Sequence, residues 1–215
     1  MSETKPARVG RPKSEEKRRQ ILTAASALFL REGFANTSMD SVAKASGVSK
    51  QTVYSHFPSK DTLFQAAITA KCQSYDLDPT DLAGHDHCDL PMTQCLRMIG
   101  TQFVRLIQDP EVVAMFRVVI SEARNNPRIA ELFYQAGPKA SLDGLAPLFM
   151  AFSDNQLSTQ DANAMARDFF SLLKGELHIM LLCDLIPPLN NEQIERHVEQ
   201  AVEKTSLLMK ARLQQ

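Results

Sequence analysis

The sequence has little that would support a membrane-spanning, secreted or catalytic protein. No run of about 18 or more residues is uninterruptedly apolar, so no membrane span is predicted. The charged N-terminus lacks the apolar segment of a secretory signal, and the four cysteines form no CxxC pair, so we expect reduced thiols in a cytosolic protein. No P-loop, GxSxG, HExxH or strand-following GxGxxG is found, and the carboxylates show no paired arrangement. We therefore expect no enzyme, no cofactor and no bound metal.

A net charge of −1 hides an uneven distribution of charge along the chain. Residues 1–60 hold 11 Lys/Arg against 5 Asp/Glu, a net of +6, whereas residues 61–215 hold 13 against 20, a net of −7. One end of the chain therefore suits a polyanion that the rest would repel. A solvated basic tail explains the charge about equally well, so charge alone does not establish that this end of the chain binds nucleic acid.

The apolar residues recur at helical spacing almost throughout, and strand signals are weak, so we predict an all-α fold. Serines precede the first three helices at Ser14, Ser38 and Ser49, and glycines end the first two at Gly33 and Gly47. After a fourth helix to about residue 75 and a polar loop, helices are predicted over 92–108, 110–125, 127–152, 158–183 and 191–213. Within 127–152, a break or kink is expected at Gly137-Pro138, Gly144 and Pro147.

The segment 38–57 has the pattern of a helix-turn-helix. A glycine turn at Gly47 separates two short helices that apolar Val42, Val48 and Val53 would hold together. The exposed face of the second helix then carries donors and amphipathic rings with no acid among them, at Lys50, Gln51, Thr52, Tyr54 and His56. Such a face suits the major groove of DNA, where Gln pairs with adenine and Lys reaches guanine acceptors. A helical hairpin with a merely polar surface is the alternative.

The residues around this motif resemble the DNA-binding domain of TetR/AcrR-family regulators over about 45 positions in register. The resemblance is carried by Ile21-Leu22-Thr23-Ala24-Ala25, Leu28-Phe29, Glu32-Gly33-Phe34, Thr37-Ser38-Met39, Val42-Ala43, Gly47-Val48-Ser49, Val53-Tyr54-Ser55-His56-Phe57-Pro58-Ser59-Lys60 and Leu63. Residues 116–123, Pro127, Phe133-Tyr134, Gly137-Pro138 and 169–175 are similar to the AefR-like subgroup.

The resemblance implies about nine helices, a homodimer on a palindromic operator and a small-molecule effector that releases it, with repression the usual mode. It also implies DNA contacts by position. Thr37 and Ser38 would contact phosphates, Lys50, Gln51 and Thr52 would face bases, and Tyr54, His56 and Lys60 would grip the backbone, with Ser49 beside them at the start of the reading helix. Lys60→Ala would then weaken binding to all sequences alike.

The predicted division of the chain follows from these elements. Residues 1–13 form a flexible basic arm, 14–60 a helix-turn-helix domain, 61–75 a connecting helix and 76–215 a ligand-binding and dimerisation domain. The arm carries Arg8 and Arg11 in the run Arg8-Val9-Gly10-Arg11-Pro12-Lys13, whose Gly-Arg-Pro core resembles AT-hook-like arms, so we expect an arginine to enter an A·T-rich minor groove. A solubilising tail is the alternative for the arm.

The C-terminal domain is expected to hold a mostly apolar pocket between helices. Its predicted apolar lining is Phe103, Met115, Phe116, Phe133, Phe149, Phe152, Met165 and Phe169, although aromatic residues and Met at this spacing are more often plain core. Polar anchors are expected among Arg117, Glu122, Tyr134, Glu176 and His178. The effector would be small and lipophilic or aromatic.

The last two helices are the predicted dimer interface, as a four-helix bundle about a two-fold axis. The residues assigned to it are Met165, Leu172, Met180, Ile194, Val198, Val202 and Leu208. Packing of both helices within one chain is the alternative.

A transcriptional activator stays open, because the sequence does not distinguish activation from repression. Two features also leave a redox- or metal-responsive regulator open. His85-Asp86-His87-Cys88 offers three potential metal ligands, although an exposed connector explains it more simply. Cys72 lies where the reader joins the sensor and invites a thiol switch, although a packed structural cysteine is the plainer interpretation.

Overall fold

Ser38 and Ser49 cap the second and third helices and Gly47 ends the second, as the sequence predicts, whereas the first helix already includes Pro12, so Ser14 lies inside it rather than before it. The computed structural model describes residues 12–78 and 90–214, with side chains from residue 14 onward. Helix α1 (Pro12–Asn36) is broken by Gly33 at φ 79°, and α2 (Met39–Ser46) begins after Ser38 and ends at Gly47 with φ 70°. Ser49 caps α3 (Lys50–His56), and α4 runs over Lys60–Gln73. A positive φ costs glycine little conformational free energy because it has no Cβ atom. The two glycines therefore interrupt α1 and end α2.

The chain divides into two compact units, Met1–Ala67 and Ile68–Gln215. In the first unit, Phe29 and Phe64 are fully buried, and their rings meet edge to face with centroids 5.1 Å apart. Phe34 packs against both rings. Phe64 was predicted to belong to a connecting helix that begins at residue 61, yet it fills the core of the first unit.

The second unit contains the remaining described helices. They are α5 (Met92–Ile107), α6 (Pro110–Ala123), α7 (Pro127–Tyr134), a π-helical turn (Gln135–Lys139), α8 (Ala140–Phe152), α9 (Thr159–Leu182) and α10 (Asn191–Leu213). Since α7, the π turn and α8 follow one another without interruption, the described residues form nine continuous helical segments and no strand. The fold is all-α, as predicted. None of the described helices is both long and apolar enough to cross a bilayer.

Helices α5, α9 and α10 approach closely at Gly100. A Cβ atom built there would lie 2.9 Å from Cγ1 of Val198 on α10 and 3.3 Å from Cζ of Phe169 on α9. Both of those side chains are buried in the apolar core of the unit. The glycine therefore lets three helices share one core, since any side chain would push them apart.

The structure differs from the predicted helices at two places. The expected break at Gly137-Pro138 is a π turn that keeps the chain helical, and Gly144 and Pro147 lie inside α8 without a break. Conversely, α9 is kinked at Gly175, with φ 38° and ψ −139°, where the sequence predicts a straight helix. The sequence does not show whether a glycine within a helical segment adopts a non-helical backbone conformation. Tertiary packing therefore decides which of these glycines interrupts its helix.

Candidate nucleic-acid interface and ligand cavity

Helices α2 and α3 are held by caps and by two buried valines. Ser38 and Ser41 form a reciprocal capping box, and the Ser49 hydroxyl accepts a hydrogen bond of 3.1 Å from the Thr52 N–H. Val42 and Val53 are fully buried beneath the two helices. These contacts hold both short helices in a fixed relation, which a recognition helix needs.

The outer face of α3 carries the side chains predicted to read DNA. Gln51 is exposed, and Tyr54 is 42% exposed although it is a large aromatic residue. Thr52 and His56 are half-buried at the edges of this face. A free amide and an exposed phenol on one short helix are the groups that base and phosphate contacts use.

Lys50 is exposed but is already paired. Its Nζ lies 2.7 Å from a carboxylate oxygen of Asp40 on α2 and 6.0 Å from the centre of the Tyr54 ring. The hydrogen bond that Lys50 donates to Asp40 and the negative charge of that carboxylate raise the pKa of Lys50. Asp40 is the acid that the sequence pattern missed, because it lies ten residues away on the preceding helix. Lys50 must therefore loosen an exposed ion pair to reach a base, at small cost.

Two predicted phosphate contacts are corrected by the structure. Thr37 is 2% exposed, and its hydroxyl donates a 2.7 Å hydrogen bond to the Gly33 carbonyl. Lys60 points its Nζ at the end of α1, 2.7 Å from the Phe34 carbonyl oxygen and 4.4 Å from the centre of its ring. Both side chains are used inside the fold, so neither is available to the DNA backbone. Arg8 and Arg11 lie outside the described residues.

The predicted pocket residues are distributed between the core and the surface of the second unit. Phe149, Met165 and Phe169 are fully buried in the hydrophobic core, which was the alternative interpretation of their helical spacing. Arg117, Tyr134 and Glu176 are exposed, and none of them lines either of the two cavities described below. The remaining predicted lining residues are the buried Phe103, Met115 and Phe133 and the half-buried Phe116 and Phe152.

Two cavities instead flank the π turn. The first, of about 150 Å³, includes Phe103, Ser141 and Lys174 in its wall, and the second, also of about 150 Å³, includes Cys72 and Ser141. Phe103 is the one predicted pocket residue that lines either of them. A π turn between two cavities fits the frequent placement of such turns at functional sites.

Sequence reasoning missed the polar residues of the first cavity, Arg167, Ser171 and Lys174. The available signal was their spacing. With Phe170 they stand at i, i+3, i+4 and i+7 on α9, so one stripe of a mostly apolar helix is cationic. That stripe could equally have been a solvated face.

The histidine in α9 lies against aromatic rings. The His178 ring is 4.6 Å from the Phe116 ring, and its buried Nδ1 has no hydrogen-bond partner among the described residues. Burial, together with the positive charge of Lys174, lowers the pKa of His178. The predicted polar anchor is therefore a neutral ring packed on Phe116.

The predicted dimer interface is corrected in four positions. Met165, Ile194, Val198 and Val202 are at most 2% exposed within a single chain, so they have no surface to offer a partner. Leu172 and Met180 are half-buried, and Leu208 is 38% exposed. Ile179 and Leu207, at 55% and 65%, are the more exposed apolar side chains on these helices.

The thiol of Cys72 does not have the low pKa of a redox-sensitive cysteine. Burial raises its pKa to about 11, so almost none of it is thiolate near neutral pH. The segment His85-Asp86-His87-Cys88 lies outside the described residues.

Comparison with known proteins agrees with both halves of the chain. Residues 21–67 match the family described as bacterial regulatory proteins, tetR family, and residues 94–205 match the AefR-like transcriptional repressor, C-terminal domain. Among curated proteins, the chain is 32% identical over 74 residues to the HTH-type transcriptional regulator SrpR of Pseudomonas putida, covering 34% of this chain and 35% of that protein. It is 43% identical over 54 residues to the HTH-type transcriptional activator FasR of Mycolicibacterium smegmatis, 25% of each. The matched segments thus span a quarter to a third of these relatives.

A solved structure extends the similarity over nearly the whole chain. The Flavonoid-responsive Regulator FrrA superposes with a TM-score of 0.67 at 35% identity, over 90% of this chain and 97% of that one. The chain therefore belongs to the TetR family of transcriptional regulators, which are not enzymes, and it joins a TetR-type DNA-binding domain to an AefR-like ligand-binding domain.

Proposed function

We propose that this protein is a ligand-responsive repressor in the bacterial cytoplasm. It binds a palindromic operator as a homodimer and leaves it when a small aromatic or otherwise lipophilic effector enters the C-terminal domain. The exposed Gln51 and Tyr54 face of α3 is the observation that carries the DNA-binding role. The repressor description of the matching C-terminal domain family and the flavonoid response named for FrrA support the rest.

The division of labour that we propose follows the predicted one. Residues 14–60 read DNA, and the buried Leu63 and Phe64 complete the hydrophobic core of that domain. Residues from 76 onward bind the effector and dimerise, and the arm 1–13 adds minor-groove affinity. A transcriptional activator is the second candidate, since the relative FasR, 43% identical over 54 residues, is named an activator. A reporter gene behind the selected operator distinguishes the two by the sign of its response.

The operator is found by selection from a pool of random double-stranded DNA with the full chain. We expect an enriched palindrome, and in Gln51→Ala we expect lost preference at one position of each half-site. A bidentate Gln–adenine pair is worth about 1–3 kcal/mol, so discrimination there falls by about 5- to 150-fold. The exposed Gln156, between α8 and α9, provides the control Gln156→Ala. Failure to enrich any sequence over random DNA would overturn the regulator proposal.

The homodimer is tested by charges placed on the outer face of the last two helices. Ile179→Asp and Leu207→Asp are each expected to raise the dimer dissociation constant at least about tenfold, because an apolar side chain buried at an interface contributes about 1.5–3 kcal/mol. Met98→Asp on α5, also an exposed apolar position, is the control. Sedimentation of the free proteins gives the constants. Unchanged dimers in both variants would place the interface elsewhere.

A further inference from the structure

The first cavity beside the π turn combines aromatic walls with positive charge. Phe103, Leu142 and Phe170 form its apolar side, and the Phe103 and Phe170 rings lie 4.5 Å apart between centroids. Arg167 and Lys174 also line it, and no carboxylate is among its lining residues. Its volume of about 150 Å³ matches an apolar cavity that holds one benzene-sized ring.

Among the residues that the structure describes, no acid neutralises the two cations of this cavity. Asp168, next to Arg167 in the sequence, pairs with Arg212, and Asp143 pairs with Lys139. Glu176, two residues after Lys174, is exposed and does not line the cavity. Within the part of the chain that the structure describes, neither Arg167 nor Lys174 has an ion-pair partner. An isolated positive charge that loses water without gaining a counter-charge is costly, so the site favours an anion.

Lys174 is the principal anchor of the pair. Lys174 is half-buried, whereas Arg167 is exposed. The Nζ of Lys174 lies 5.8 Å from the centre of the Phe103 ring. Burial lowers the pKa of Lys174. The hydroxyl of the buried Ser141 also borders the cavity, although it already donates to the Gly137 carbonyl.

We propose that this cavity binds a small aromatic carboxylate. The carboxylate pairs with Lys174 and Arg167, and the ring lies against Phe103, Phe170 and Leu142. A charge-assisted contact with a partly desolvated ammonium is stronger than a neutral one, and the guanidinium fork suits a carboxylate. The inference rests on the proposed ligand-responsive function and names the chemical class of its effector.

The test compares phenylacetate with phenylacetamide, which has the same shape and no charge, by calorimetric titration of the full chain. We expect phenylacetate to bind at least about tenfold more tightly than the amide, and Lys174→Met to remove that difference. Arg167→Met should reduce it by a smaller factor. Lys204→Met, at an exposed lysine of α10, is the matched control and should leave both affinities unchanged.

The outcomes separate this inference from the proposed function. Equal affinities for acid and amide, binding of neither, or an unchanged difference in a folded Lys174→Met variant would overturn the carboxylate site. The melting temperature of each variant without ligand reports its folding, and Arg167→Met provides the second variant. Phenylacetate that binds through Lys174 yet leaves operator affinity unchanged would keep the site and overturn its role as effector site.

Discussion

Phe29→Ala is expected to unfold the DNA-binding unit and to abolish operator binding. Phe29 is fully buried, with the Phe64 ring at 5.1 Å and the Phe34 ring at 5.8 Å between centroids. Truncation of a buried phenylalanine costs about 3–5 kcal/mol through lost burial and the cavity left behind. A domain of this size has a free energy of unfolding of only about 5 kcal/mol, so the variant loses most of its stability.

Hydrogen exchange measures this loss within each unit. Amides of α1 to α3 should exchange far faster in Phe29→Ala, whereas the protected amides of α5, α9 and α10 should change little. Phe29→Leu, which keeps most of the volume, is the control and should cost less than about 1.5 kcal/mol. Native protection of α1 to α3 in Phe29→Ala would show that the aromatic cluster does not hold the unit together.

Lys60→Met is expected to destabilise the DNA-binding unit without changing the salt dependence of DNA binding. The Lys60 ammonium donates to the Phe34 and Ala35 carbonyls, 2.7 and 3.3 Å away, at the C-terminal end of α1. It therefore satisfies carbonyls that the helix end leaves open. Hydrogen bonds from a charged donor are worth about 1.5–3 kcal/mol, and we expect a loss of that order.

The salt slope decides between this role and a phosphate contact. A lysine on a phosphate would lower the slope by about 1 when it is removed, whereas Lys60→Met should leave the slope unchanged. Lys44→Met, at an exposed lysine of α2, is the control for loss of one charge from the same unit. A slope lowered by one in Lys60→Met, with unchanged denaturation, would restore the phosphate contact.

The sequence by itself determines the local features of the reader. Ser38, Gly47 and Ser49 place the ends of α2 and α3 within a residue, because a cap is satisfied by groups three or four positions away. The alternation of buried and exposed positions likewise indicates that Val53 faces inward and Gln51 outward. These contacts close within one turn of helix, so no tertiary information is needed to predict them.

Tertiary structure alone decides the roles that depend on distant partners. Lys60 finds its acceptors 26 residues earlier, and Val198 is covered by α5, so neither spacing nor residue type distinguishes a DNA contact or a dimer face from intramolecular packing. The stripe of Arg167 and Lys174 is visible in the sequence, yet only the packing of Phe103 and Leu142 beside it makes it the wall of a cavity. Periodicity specifies which side chains share a face of a helix, and only the assembled helices specify what that face meets.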